Sequence, residues 1–460
     1  MPAPVRTIVI AGAGFSGTAT AVHLLRQLRQ AARVVLIERG PEFGRGVAYA
    51  TTEFPFILNV PASRMSASAG DPGDFLRYAV QQDPRISAGD FLPRALYGDY
   101  LESRLREAAA AAAHEVILDC RRGSVVDVYP GTSGRPVVAL DDGALIPADD
   151  VVLALGNPPA RTVAGVAEMA DADGVAGTDS AASPRARPNR LLVLGTGLSM
   201  VDAVYAALAQ RPGIEIHALS RHGLVPPSQT QFAPAAFHDH AHRLGHASGS
   251  IRRLVTVVRD LAREAERSGS DWREVITLVR HEAPSLWHGL ADSERRRFLR
   301  HVRSYWDVHR HRLAPEVASR IDSLRRSGQL VIHAGRLVSV VRSPDGFDAS
   351  WRVRGSGRRR DLSAFSVLNC TGPDYDLTHT TDPLWRALIG RGVALPDGLG
   401  LGVRTGPHGE LSGGPGAGPN RVFYIGPMLR ADHWEATAVG ELRVHAERLA
   451  QHLSRPGVAE

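Results

Sequence analysis

Apolar and polar positions follow two rhythms along this chain, and the rhythms trade places at regular intervals. A short apolar run from Thr7 to Ala11 gives way to a helical period from about Ser16 to Gln30, and the apolar run "RVVLIERG" follows from Arg33 to Gly40. Strand, helix and strand in that order predict a βαβ unit with parallel strands. The same succession returns from Asn189, through a helical period, to "IEIHALSR". The turns that open the two units nearly repeat each other: "IVIAGAGFSGTATAVHLL" runs from Ile8 to Leu25, and "LLVLGTGLSMVDAVYAAL" from Leu191 to Leu208.

Between the units lies "GPEFGRGVAYATTEFPFILNVPASRMSASAGDP", with too many turn formers for an ordinary connection. Long ordered loops of this kind often carry function. A helix near Tyr97 to Ala113, a strand pair across Ser124 to Leu140 and a buried strand in "DVVLALGN" follow. From Pro159 to Pro188 the composition shifts to Ala, Gly, Ser, Asp and Pro, which marks a boundary. A helical block is expected from about Ser250 to Ser327, with Asp271 and Glu274 as a capping box and with Phe298, Val302, Tyr305 and Trp306 on one face. Strands return at "LVIHAGRLVSVV", "FDASWRVR" and "SVLNCTG", and the chain closes with "VFYIGP" and a helix from about Glu435 to Leu453.

The repeated turns carry the chemistry. Gly12, Gly14 and Gly17 form G-x-G-x-x-G between a strand and a helix, with Phe15 and Ser16 inside the same turn. In that setting the first glycine permits the tight turn, the second lets backbone approach a pyrophosphate, and the third lets helix and strand pack closely. Free amides and the positive helix end then meet the phosphates. Glu38, at the end of the second strand, is placed to accept from ribose hydroxyls. The second turn keeps Gly195 and Gly197, with Ser199 close behind, but has Met200 where the third glycine would stand. Ser220 and Arg221 occupy the places of Glu38 and Arg39. An acid repels a 2′-phosphate and an arginine pairs with it, so the first site suits FAD and the second NADPH.

The expected fold class is therefore α/β, with two dinucleotide-binding (Rossmann-like) domains and a helical insert. Residues 1–160 plus 366–460 form the expected FAD domain and 186–228 plus 328–365 the NADPH domain, leaving 229–327 as the insert and substrate region.

Composition narrows the chemistry. All 54 basic residues are arginines, because the chain has no lysine. Schiff-base, pyridoxal-anchoring and P-loop lysines are thereby excluded. Cys120 and Cys370 form no close pair, which argues against a dithiol centre. With 6% aromatic residues and dispersed arginines, a nucleic-acid partner is not expected. No apolar run reaches about 18 residues, so no membrane partner is expected. No leader pattern precedes Thr7, and a cytoplasmic location is the expectation. The cluster "FHDHAHRLGH", with His238, Asp239, His240, His242 and His246, matches no tight zinc spacing, and no metal is assigned.

The segments "GAGFSG", "GRGVAYAT", "LNVPASRMSA", "YGDYL", "GTGLSMVD", "LSRHGLVP", "RHVRSYWDVHRHR", "NCTGP" and "WEATAVGELRVHA" are spread over most of the chain. In these the sequence resembles a bacterial family of FAD-NAD(P)-binding proteins, and through it the flavin-dependent N-hydroxylating monooxygenases, including nitrosuccinate-forming aspartate N-hydroxylases. The resemblance implies Arg45 and Gly46 near the pyrophosphate or isoalloxazine, Asn59 and Met65 nearer the ring, and Val125 against adenine through its backbone. It also implies roles in the substrate or coenzyme cleft for Arg310 and Arg312 of "WDVHRHRL", and for Arg430 with Trp434 at the entry to the last helix, whose N-terminus would face the flavin. The chain departs from the family at "PPSQTQ", where a histidine is usual soon after the "RHGLVP" segment.

The activity this implies is transfer of oxygen, from molecular oxygen and at the expense of NADPH, to a small polar amine or amino acid. A flavin-dependent reductase or dehydrogenase without oxygen transfer is one alternative. A nucleotide-binding regulatory protein without turnover is another.

Overall fold

The computed structural model describes residues 5–50, 54–132, 134–163, 189–230, 238–414 and 421–455. Most of the Pro159–Pro188 boundary, from 164 to 188, lies outside them. The chain divides into two compact units, one from Met1–Pro158, Glu282–Gly289 and Tyr375–Glu460, the other from Pro159–His281 and Leu290–Asp374.

The first βαβ forms as the apolar rhythm predicts: β1 (Arg6–Ala11), α1 (Phe15–Gln27) and β2 (Ala32–Glu38). The turn-rich stretch holds the short α2 (Gly46–Tyr49), α3 (Asp74–Gln82) and α4 (Arg94–Ala110). Then come β3 (Val116–Arg122), the meander β4 (Val125–Pro130), β5 (Pro136–Leu140) and β6 (Leu145–Pro147), and β7 (Asp150–Leu153). Ile8, Val9 and Ile10 are each fully buried, as a central parallel strand with both faces covered requires. The period of two splits β1: Ile8 and Ile10 join the cluster of α1, while Val9 and Ala11 join the cluster of the meander.

The second unit opens with β8 (Arg190–Leu194), α5 (Leu198–Gln210) and β9 (Glu215–Ser220). The helices α6 (Ala241–His246), α7 (Ile251–Arg267), α8 (Trp272–His288), α9 (Asp292–His301), α10 (Arg303–Arg310) and α11 (Pro315–Arg326) follow, the last part of α8, from Glu282, belonging to the first unit and not to the insert expected over 229–327. Then come β10 (Leu330–Ser343), β11 (Gly346–Val353), β12 (Arg359–Ala364) and β13 (Ser366–Asn369). The sheet runs β12-β11-β10-β9-β8-β13, parallel from β10 to β13 and antiparallel at its β11–β12 end.

The chain then returns to the first unit with α12 (Pro383–Gly390), β14 (Val422–Tyr424) and α13 (Val439–Ser454). The first sheet is completed in the order β14-β7-β1-β2-β3.

Three sequence expectations need correction. The segment 366–374 belongs to the second unit, because Ser366–Asn369 pairs along β8 from Leu191 to Leu194. The stretch Phe298 to Trp306 is two helices, α9 and α10, meeting at Val302. The last helix begins at Val439, which leaves Trp434 and Glu435 in the turns before it. Asp271 does cap α8, its Oδ1 accepting from the amide of Arg273 at 2.8 Å. Among the described residues no helix is long and apolar enough to cross a membrane.

Candidate functional site: two nucleotide cradles

Gly12 stands at φ +101°, and a Cβ there would lie 2.4 Å from the carbonyl oxygen of Ala154 after β7. A Cβ on Gly17 would lie 1.8 Å from the oxygen of Gly12, so α1 sits closer to its strand than any side chain allows. Gly14 differs from both. Its missing Cβ meets only the Cα of Gly46 at 3.6 Å, an ordinary contact. Nothing in the protein clashes with a side chain there, so a glycine at this place serves an approaching pyrophosphate and not the packing. Gly14 is also the N-cap of α1 and offers no side-chain cap, so the first amides of the helix face that space. Gly46, held against Gly14, closes the wall.

Glu38 builds the turn as well as facing it. Its carboxylate accepts from Ala13 N at 2.7 Å and Gly40 N at 2.9 Å, which leaves lone pairs for hydroxyl donors. Gly123 N donates to the carbonyl of Glu38 at 3.0 Å, which brings the segment leading to Val125 beside Glu38. Arg39 is exposed, Phe15 is half-buried beside Tyr97, and Ser16 is buried. These residues fit an adenine dinucleotide: an open phosphate approach, uncapped amides and an acid with spare lone pairs at the end of β2.

Three further residues of the expected site have partners or packing within the protein or stand at its edge. The Arg45 guanidinium is paired with Asp99, Glu102 and Glu42, so it ties the loop to α4 and its charge is already met. Sequence spacing gave no sign of this, because two of those acids lie more than 50 residues on. Met65 is buried in an aromatic cluster with Phe75, Tyr97 and Tyr100, and Asn59 is half-buried near its edge.

At the carboxyl end of β14, Arg430 is buried and held between two rings, 4.1 Å from the Trp434 centroid and 5.1 Å from that of Tyr375. Trp434 packs on Trp287 at 4.8 Å, and Trp287 Nε1 donates to the carbonyl of Ala431 at 3.0 Å. Tyr375 donates its hydroxyl to Asn157 Oδ1 at 2.9 Å. Tyr375 and Trp287 are members that sequence reading missed, because neither lies in a motif.

The second cradle repeats the first. Gly195 has φ +112°, and a Cβ there would lie 2.1 Å from the carbonyl oxygen of Cys370, after β13. Gly197, uncapped N-cap of α5, has nothing within 4 Å of its Cβ direction. Met200 is fully buried with Leu191, Val193 and Cys370. Its side chain fills the space that close helix packing removes in the first cradle, and the phosphate approach at Gly197 remains open. Burial pushes the Cys370 thiol up to about 12, so it is a core side chain and not a nucleophile. Ser199 is exposed on the first turn of α5.

Ser220 holds the exit turn of β9: its Oγ accepts from Gly223 N at 2.9 Å and lies 2.8 Å from Thr196 Oγ1. The turn so fixed presents an exposed Arg221 and a half-buried His222. Arg310 ends α10, and Arg312 is buried beside the bridge of Ser228 to Leu313. Among the described residues no group of His, Cys, Asp and Glu could hold a metal ion.

Two open cradles, each at the end of a parallel strand and pressed on its neighbour, define a protein that binds two dinucleotides. Residues 9–158 match a family model described as FAD-NAD(P)-binding. The whole chain shares its fold with solved structures at low sequence identity. An ornithine N-hydroxylase from Kutzneria sp. 744, solved with reduced FAD, NADP+ and L-ornithine, is 17% identical with a TM-score of 0.60, covering 98% of this chain and 99% of that one. L-lysine 6-monooxygenase from Pseudomonas syringae is 18% identical with a TM-score of 0.63, over the same shares. A cadaverine monooxygenase from Erwinia amylovora, bound to FAD, is 13% identical with a TM-score of 0.64, over 98% and 95%. A search of curated proteins finds no match.

Proposed function

We propose that the chain is an NADPH-dependent FAD monooxygenase that N-hydroxylates a small polar amine or amino acid. The observation that carries this reading is the division of labour between the cradles: an acid-bearing cradle with Gly14 open to a pyrophosphate, and an arginine-bearing one with Gly197 open in the same way. The likeness of fold to amine hydroxylases adds support. Bound FAD supplies hydride acceptance from NADPH and, once reduced, activation of oxygen. In balance, amine, O2, NADPH and a proton give hydroxylamine, water and NADP+.

The chain's own residues bind and orient. Gly12, Gly14, Gly17 and Glu38, with Phe15, Ser16 and Gly46, would hold the flavin nucleotide, with Val125 at its adenine; Gly195, Gly197, Ser199 and Arg221 would hold the reductant. Arg430, already desolvated between Trp434 and Tyr375, places a fixed positive charge at the carboxyl end of the first sheet, where ligands of open α/β sheets bind. Arg310 and Arg312 are the cationic groups proposed for a substrate carboxylate. The test is to supply NADPH, oxygen and a panel of small amines and amino acids, and to measure hydroxylamine and hydrogen peroxide together. Hydroxylamine in proportion to NADPH consumed supports the reading; peroxide alone with every amine would replace it with a flavin reductase.

A further inference from the structure

The exit of β9 gathers more positive charge than one arginine supplies. Thr196 Oγ1 donates to the carbonyl of Leu224 at 2.5 Å and Gly223 N to Ser220 Oγ, so the turn is fixed from both ends. A Cβ on Gly223 would lie 3.0 Å from the Cβ of Ala334, which shows the turn pressed on β10. Arg354, just past β11, is anchored by its own amide to the carbonyl of Ala334 at 2.9 Å. Its Nη1 lies 3.4 Å from the carbonyl of Arg221 and within hydrogen-bond distance of His222 Nδ1. Tyr305 of α10 covers the imidazole, ring to ring at 5.4 Å.

The Arg354 guanidinium and the His222 imidazole thus meet on the turn that carries Arg221, and among the described residues neither Arg221 nor Arg354 has a carboxylate partner. Arg190 and Arg243 of the same unit do have such partners, Glu215 and Glu264. A cluster of like charges without an acid costs free energy unless an anion joins it. Because Arg354 donates to Nδ1, the ring is neutral there and keeps its second nitrogen as a donor.

We propose that Arg354 and His222 complete, with Arg221, a site for the 2′-phosphate of the coenzyme, and that His222 takes up a proton as that phosphate binds. The proposal rests on the assignment of NADPH to the second cradle. The groups acting on His222 are Arg221 of its own turn, Arg354 beyond β11 and the Tyr305 ring of α10. Burial first, and then the charges of Arg354 and Arg221, hold its pKa below the ordinary 6.5. A phosphate dianion reverses the sign of the local field; the proton enters at Nδ1, the Arg354 guanidinium leaves that nitrogen for the phosphate, and the imidazolium becomes a third charged donor. Coenzyme choice in this chain then tightens as pH falls.

Calorimetric titration of the flavin-loaded protein with NADP+ and NAD+, near pH 7, constant ionic strength and in two buffers of different ionisation enthalpy, counts the protons taken up. NADP+ is expected to bind with net proton uptake and NAD+ without it. His222→Gln abolishes the uptake, and Arg354→Ala weakens NADP+ by about 10- to 150-fold while leaving NAD+ unchanged. Adenosine 2′-phosphate competes with NADP+ and adenosine 5′-phosphate does not; equal competition would reduce the site to a non-specific anion patch. Uptake that persists in His222→Gln, or equal loss of both coenzymes in Arg354→Ala, overturns the proposal. Preference of the unaltered protein for NAD+ would instead overturn the assignment of the second cradle itself.

Discussion

At the scale of single residues, the three glycines of the first cradle are not equivalent, and substitution separates their roles. Gly14→Ala places a methyl group where the protein leaves space, so the fold is expected to persist while bound flavin falls sharply. Gly17→Ala drives a methyl into the Gly12 carbonyl, so stability itself is expected to collapse. Absorbance of the released flavin and a melting curve distinguish the two; full flavin content in Gly14→Ala would contradict the cradle. Arg221→Ala removes charge-assisted bonds of roughly 1.5–3 kcal/mol, equivalent to about 10- to 150-fold in NADPH affinity, and NADH should hardly notice. Flavin reduction at varied coenzyme concentrations reads the ratio, and an unchanged preference removes Arg221 from the site.

At the scale of elements, the sequence made the βαβ units legible because buried parallel strands read as unbroken apolar runs and the glycine spacing is rigid. What stayed hidden depended on contacts far apart in the chain. Nothing local in Ser366–Asn369 says that it lies beside β8, and nothing near Arg45 announces Asp99 and Glu102. Met200 shows the reverse case, a departure from a motif that has a packing reason. Met200→Ala leaves a cavity between α5 and its sheet and is expected to cost about 2–5 kcal/mol, while the flavin content of the folded protein stays normal. Denaturant unfolding measures it, and a cost near zero would mean that the helix simply closes onto the strand.

The β9–β10 pairing carries a pH dependence as well. His217 lies 2.8 Å from His333 and 2.7 Å from Glu215, and Trp351 packs on His333. Burial, then the neighbouring His217 and Arg360, lowers His333 to about 4. A histidine whose folded pKa is depressed binds its proton more readily unfolded, so its stabilisation is intact above about pH 6.5 and is lost as pH falls toward 4. The melting temperature should decline across that window, and His333→Leu should make the decline shallower. An unaltered slope would show that this histidine is not the group responsible.

At the scale of the whole molecule, two cradles of different charge serve one reaction, in which NADPH reduces one atom of O2 to water while the other atom forms an N–O bond. Single-site variants test the cradles separately, but the reaction is their joint product. The most direct measurement is the stoichiometry of the reaction with the best amine found, following NADPH loss, oxygen uptake, hydroxylamine and hydrogen peroxide in one vessel. One oxygen consumed and close to one hydroxylamine formed per NADPH, with little peroxide, is the expected result. NADPH oxidation that yields only peroxide with every amine tried, or no flavin reduction by NADPH at all, would contradict it.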